Sequence, residues 1–192
     1  MAKKKPPAEP RTLRADAERN RRQLLETAQE VFAAEGLAVP IDEIARRAGL
    51  GVGTLYRHFP TKEALFEAIL VDRMTRVAER AEALAGAEEA GEAFFGMLET
   101  IAVESTKKKD FVHALGGKLA SHRTFDEAKR RFRTALDALL ARAQRAKAVR
   151  KDVSTGDVLT LLHGVLSVAE ASAEARRRHL AIVFDGLRRR GR

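Results

Sequence analysis

The chain has 192 residues, a mass of 21.2 kDa and 45% hydrophobic residues: enough for one or two small domains with a real core, and too apolar for a disordered or fibrous protein. It has no Cys, which excludes disulfide frameworks, zinc ribbons and thiol chemistry, and no run approaches the ~20 apolar residues that span a bilayer. The net charge of +9 is uneven, with 12 Lys/Arg against 8 Asp/Glu in residues 1–62, 17 against 18 in 63–175 and 7 against 1 in 176–192; basic ends suit a polyanionic partner, although a solvated surface gives the same pattern.

The apolar period is helical throughout, so an all-α fold of about nine helices is expected. The opening Met-Ala-Lys-Lys-Lys-Pro-Pro leads into no apolar signal segment, which makes the cytoplasm the expected compartment. Residues 1–15 read as a flexible basic arm, because Pro6, Pro7 and Pro10 discourage a helix. Helix one is expected from Asp16 to Glu35, with Leu24, Ala28, Val31 and Phe32 inward and Gly36 as its stop. Asn20 with Gln23 could instead cap a shorter version. A short helix over Ile41–Ala48 stops at Gly49, and another over Val52–Phe59 turns Val52, Leu55 and Phe59 inward and ends at Pro60. Thr61 caps a long helix from Lys62 to Ala85. The next runs from Glu88 to Ser105. The run Lys107-Lys108-Lys109 reads as a link, and Asp110 starts a helix to Ala120. Thr124 with Glu127 and Ser154 with Asp157 have capping-box spacing and open helices to Ala146 and Ala173. A last helix covers Glu174–Arg189.

Residues 41–62 carry the functional signal. They read as helix, glycine-bearing turn and short helix, the arrangement in which a second helix enters the DNA major groove. Ala45 is small where the helices cross, and Leu55 and Phe59 anchor the second helix. Thr54, Tyr56, Arg57 and His58 remain outside, with hydrogen-bonding groups suited to phosphates and base edges. The amides at Gly51–Gly53 can face a phosphate. A purely structural helix-turn-helix is the alternative.

The stretch from Arg22 to Gly36, the pairs Ile44-Ala45 and Ala48-Gly49, and the run Gly53-Thr-Leu-Tyr-Arg-His-Phe-Pro-Thr-Lys-Glu-Ala-Leu65 resemble the N-terminal domain of the TetR family of bacterial transcriptional regulators. The resemblance covers residues 20–70. It implies a three-helix DNA-binding head over residues 16–62 and a ligand-binding, dimerising domain over 63–192. It also implies a homodimer on a palindromic operator at the nucleoid, mostly a repressor released by a small-molecule effector. By matched position Thr54, Tyr56 and His58 contact DNA and Lys62 holds a phosphate. Two positions depart from the family pattern: Pro40-Ile41 stands where a capping Ser or Thr is usual, and Gly51-Val52 where Ser and a polar residue are usual. Two side-chain contacts are then missing, and the arm (Lys3–Lys5, Arg11, Arg14) is expected to supply more of the affinity.

In the remainder, Phe94, Phe95, Met97, Leu98, Phe111, Leu115, Phe125 and Phe132 are the large apolar residues of the middle helices. The resemblance places the ligand pocket here, though an ordinary core accounts for each residue singly. With no Trp, and the one Tyr in the head, such a pocket suits a hydrophobic ligand. His113, His122 and His163 are its polar candidates, and their spacing is not that of a metal site. Leu162, Leu166, Leu180, Val183, Phe184 and Leu187 could form a four-helix dimer seam or pack within the chain, and Gly164 allows close helix approach. No nucleophile elbow, phosphate-binding loop or metalloprotease motif is present, so neither enzymatic activity nor a cofactor is expected. A general basic adaptor for RNA or an anionic membrane is the remaining alternative, distinguished by weak sequence preference.

Overall fold

The computed structural model describes residues 10–114, 123–167 and 172–189. Eight α-helices form among them, together with one isolated antiparallel bridge between Val149 and Arg188. The chain divides into two compact units, Met1–Ile69 and Leu70–Arg192.

In the first unit, α1 (Pro10–Glu35), α2 (Ile41–Arg47), α3 (Val52–His58) and the start of α4 (Lys62–Leu84) enclose a small core. Leu24, Ala28, Ile44, Ala45, Leu55 and Leu65 are wholly buried there, and Phe32 meets Phe66 edge-on at 5.3 Å. Helix α1 begins six residues before the expected start, so Pro10–Ala15 are helical rather than an irregular arm. A proline is pre-organised for a first turn, where its missing N–H costs nothing. Lys3–Lys5 lie outside the described residues. Gly36 and Gly49 adopt φ of +83° and +65°, left-handed values that glycine takes without a Cβ penalty, and both stand where a stop is expected. Thr61 caps α4, its Oγ1 accepting from the Ala64 amide at 3.1 Å.

In the second unit, α5 (Ala90–Ala114), α6 (Arg123–Arg145), α7 (Thr155–Ser167) and α8 (Ala173–Leu187) join the rest of α4. Phe94, Met97, Leu98, Leu136, Leu139 and Leu162 are its most deeply buried large side chains. Two expected helices merge in α5, because the run Lys107–Lys109 continues the helix; lysine is a good helix former, and no Gly or Pro interrupts residues 97–114. This brings the described count to eight rather than nine. Leu115 and His122, with the rest of 115–122, lie outside the described residues. A full capping box forms at α7: the Ser154 amide donates to Asp157 Oδ2 at 2.8 Å, and the Asp157 amide donates to Ser154 Oγ at 3.2 Å. Ser172 caps α8 through the Ala175 amide. Arg131 forks onto Glu82 with bonds of 2.9 and 2.7 Å, tying α6 to α4. The end of α8 is fastened by the Arg150 amide on the Leu187 carbonyl, 3.0 Å, and the Arg189 amide on the Ala148 carbonyl, 3.2 Å.

Candidate functional site

The second helix of the helix-turn-helix is set by one residue. Leu55 is wholly buried and Phe59, just past the helix end, is 2% exposed, so the opposite side of α3 faces out. Tyr56 is 42% exposed, Gly53 and Arg57 are exposed, and Thr54 and His58 are half-buried. These five residues share one short helix and its outer surface. Val52, expected inward, is 41% exposed: a seven-residue helix has room for only one buried turn, and Leu55 and Phe59 fill it.

Each polar group has a local setting. The Tyr56 hydroxyl hydrogen-bonds the Asp42 carboxylate in the first turn of α2, and this bond, with some burial, raises the phenol above its ordinary pKa. The Arg57 guanidinium folds back, donating to the Gly53 carbonyl at 3.0 Å. Partial burial, with Arg21 and Arg57 nearby, holds the His58 imidazole below the usual histidine value; the neutral ring is favoured because a third positive charge would be repelled. Arg21 itself stacks over Phe59 at 5.4 Å. Lys62 is half-buried. Its ammonium donates to the Val39 carbonyl at 2.9 Å and lies 5.9 Å and 5.8 Å from the Phe32 and Phe66 ring centres.

The turn is braced from both sides. Gln23 of α1 does not cap its own helix but donates to the Ala48 carbonyl at the end of α2, 2.8 Å. Glu43 accepts from Arg46 at 2.7 Å and Arg47 at 2.6 Å, and Arg47 also holds Glu35. The two guanidinium bonds pull Glu43 down to a pKa of about 2. Neither helix is capped by a side chain: Pro40 precedes α2 and Gly51 precedes α3, as their departure from the family pattern implies. The first amides of α3 therefore keep free donor capacity at an exposed surface.

The expected pocket residues divide. A cavity of about 250 Å³ opens in the second unit, lined by Leu70, Arg73, Met74, Val77, Ile101, Glu104, Ser105, Phe125, Lys129 and Phe132. Phe125 and Phe132 are in it. Phe94, Phe95 and Leu98 do not line it and belong, with Phe132, to the buried core; Phe95 packs on Phe184 at 5.5 Å. His163 is exposed on α7, where its Nε2 stands 3.3 Å from Ser167 Oγ. Phe111 and His113 are on α5, with side chains outside the description, and Leu115 lies beyond the described residues. Sequence reasoning missed Arg73, Glu104 and Lys129. Periodicity marks them only as the polar margin of an amphipathic stripe, where charge is ordinary.

Of the expected seam residues, Leu162, Leu166, Phe184 and Leu187 are buried within the chain's own core, and Leu180 and Val183 are half-buried against it. The large apolar side chains that stay exposed on these helices are Leu161, at 47%, and Ile182, at 63%. Among the described residues no three potential metal-ligating side chains cluster, and no helix is long and apolar enough to cross a membrane.

Comparison with known proteins matches these units separately. Residues 24–69 fit the family model of bacterial regulatory proteins of the tetR family, and residues 89–189 fit that of the C-terminal domain of SbtR-like transcriptional regulators. A crystal structure of a TetR transcription regulatory protein from Mycobacterium vanbaalenii is 44% identical, with a TM-score of 0.74, covering 92% of this chain and 99% of that one. The TetR regulator SCO0520 of Streptomyces coelicolor is 30% identical with a TM-score of 0.70, covering 89% and 99%. The HTH-type transcriptional regulator SrpR of Pseudomonas putida is 40% identical over 60 residues, which span 31% of this chain and 28% of that regulator; the match with the curated relatives is thus under a third of their length. The chain belongs to the TetR family of bacterial transcriptional regulators, with its helix-turn-helix domain at residues 24–69.

Proposed function

We propose that the protein is a dimeric repressor whose residues 16–62 bind a palindromic operator and whose residues 63–192 bind a small effector that releases it. The observation that carries this reading is the outer face of α3, where buried Leu55 leaves Thr54, Tyr56, Arg57 and His58 together at the surface. These side chains combine hydroxyl, guanidinium and imidazole groups, the mixture that reads base edges and phosphates. The uncapped amides at Gly51–Gly53 add phosphate donors at the same end. Lys62 has one donor on Val39 and two more for a phosphate.

A two-fold dimer places two such helices on one face of the duplex, with half-sites 34–36 Å or about one helical turn apart. Leu161 and Ile182 supply apolar surface for a second copy, and exposed Gly164 and Gly186 have no atom within 4 Å of an added Cβ, which suits close helix approach. Release follows from shared structure: α4 carries Lys62 at its start and Leu70, Arg73, Met74 and Val77 of the cavity further along. An effector that binds one position of α4 better than another shifts the spacing of the recognition helices, and coupling of about 1–3 kcal/mol suffices.

The test is selection of binding sites from a random duplex pool with the purified chain. Recovery of an inverted repeat supports the reading. Recovery of DNA without a consensus contradicts it and favours a general basic adaptor.

A further inference from the structure

We propose that the effector is an amphipathic organic anion, its apolar body held between Phe125 and Phe132 and its carboxylate received by Arg73 of α4. The inference rests on residues 63–192 being the effector domain, and it names the charge of the ligand, which that reading leaves open. The cavity is walled mostly by aliphatic and aromatic side chains, but three of its lining residues are charged: Arg73 on α4, Glu104 on α5 and Lys129 on α6. Two cations against one carboxylate leave a surplus of one positive charge among mostly apolar walls, where the Ser105 hydroxyl is the remaining polar group.

Position separates their roles. Arg73, Glu104 and Ser105 are half-buried, whereas Lys129 is exposed and sits at the rim. Burial disfavours the charged form of Arg73, and the nearby Glu104 carboxylate is the leading group that offsets this. On the same helix Asp72 is engaged by Arg76 at 2.9 Å, so those two charges largely cancel each other. A guanidinium in an apolar wall gains most from a planar two-oxygen acceptor, to which it can present two parallel N–H donors. A ligand carboxylate supplies that acceptor, balances the surplus charge and leaves the hydrocarbon part to the rings. A cationic ligand would meet Arg73 and Lys129 with repulsion, and a neutral one would leave the surplus uncompensated. Since Arg73 lies on α4, the anchor acts on the helix that begins at Lys62.

The test is isothermal titration calorimetry of the full chain at pH 7 with two matched sets: octanoate, octan-1-ol and octylamine, and 3-phenylpropionate, 3-phenylpropanol and 3-phenylpropylamine. In at least one set the carboxylate is expected to bind about tenfold or more tightly than its alcohol and amine. Arg73→Met should reduce that advantage to about threefold or less while alcohol binding persists, and Lys129→Met, at the exposed rim, should reduce it by less. Equal binding within a set, preference for the amines, no binding by any of the six compounds, or an undiminished carboxylate advantage in Arg73→Met would each overturn the inference. The titration contains no DNA, so failure here is distinct from failure of operator binding, which is read on the same preparation by gel retardation.

Discussion

The Lys62 ammonium donates to the Val39 carbonyl at 2.9 Å, so the first residue of α4 is fastened to the loop before α2. The same group is the proposed phosphate donor, and an ammonium has three N–H groups for the two tasks. Lys62→Met should lower the stability of the first unit by about 1–2 kcal/mol through the lost bond and ring contacts. It should also reduce the slope of log affinity against log salt by about one unit. Urea unfolding and a salt series on operator DNA separate the two effects. An unchanged salt slope would show that Lys62 is purely structural.

Tyr56 poses the opposite case, an exposed side chain whose hydroxyl already has a partner in Asp42. Tyr56→Phe should leave the circular dichroism spectrum and melting temperature nearly unchanged and weaken operator binding about tenfold. Asp42→Asn removes the negative charge beside the hydroxyl and should strengthen binding modestly, because a carboxylate near a phosphate is repulsive. Equal affinity in Tyr56→Phe and the parent would remove this hydroxyl from the interface.

His58 gives a pH signature. Burial, with Arg21 and Arg57 beside it, holds its folded-state pKa below the ordinary 6.5. The unfolded chain then binds the proton more readily, so this residue costs stability as pH falls through 6.5 and below. A DNA phosphate at the proposed interface acts in the other sense and raises the pKa of the bound imidazole. The complex therefore takes up protons, and operator affinity should rise as pH falls from about 7.5 to about 6. His58→Gln should flatten that trend. Fluorescence anisotropy with labelled operator at a series of pH values measures it.

Two glycines of α5 should respond in opposite directions. A Cβ on Gly91 would stand 2.7 Å from the Ala148 Cβ, whereas one on Gly96 meets nothing within 4 Å. Gly91→Ala should destabilise by about 1–3 kcal/mol through overpacking, and Gly96→Ala should stabilise by about 0.5–1 kcal/mol through helix propensity. Thermal unfolding of the two variants side by side is the check.

Local rules made much of the first unit readable from the chain alone. The stops at Gly36 and Gly49, the Thr61 cap and the inward Leu55 and Phe59 each follow from one residue's conformational or hydrogen-bonding preference. The Ser154–Asp157 box at α7 is of the same kind. What was not readable depended on neighbours distant in sequence. Phe94 and Phe125 have the same character on paper, yet one closes the core and the other lines the cavity, because the helix opposite decides which. Leu161 and Leu162 are adjacent leucines at 47% and 1% exposure, and only the placement of α7 against the core distinguishes them. Arg73 and Glu104 met at the cavity for the same reason. The Pro10 start of α1 and the Lys107–Lys109 run inside α5 were misread because Pro and a charge run are breakers in one context and harmless in another.

The proposed function requires α3 to read a specific DNA sequence. Its most direct test is retardation of the duplex flanking the protein's own gene, with excess unrelated duplex and a salt series, for the parent chain and a Thr54→Ala, Tyr56→Phe double variant. The parent complex should survive competitor, and the double variant should lose this preference while keeping the weak, salt-sensitive binding of a basic protein. A parent complex removed by competitor on this duplex and on every site recovered by selection, or a double variant equal to the parent, would contradict it.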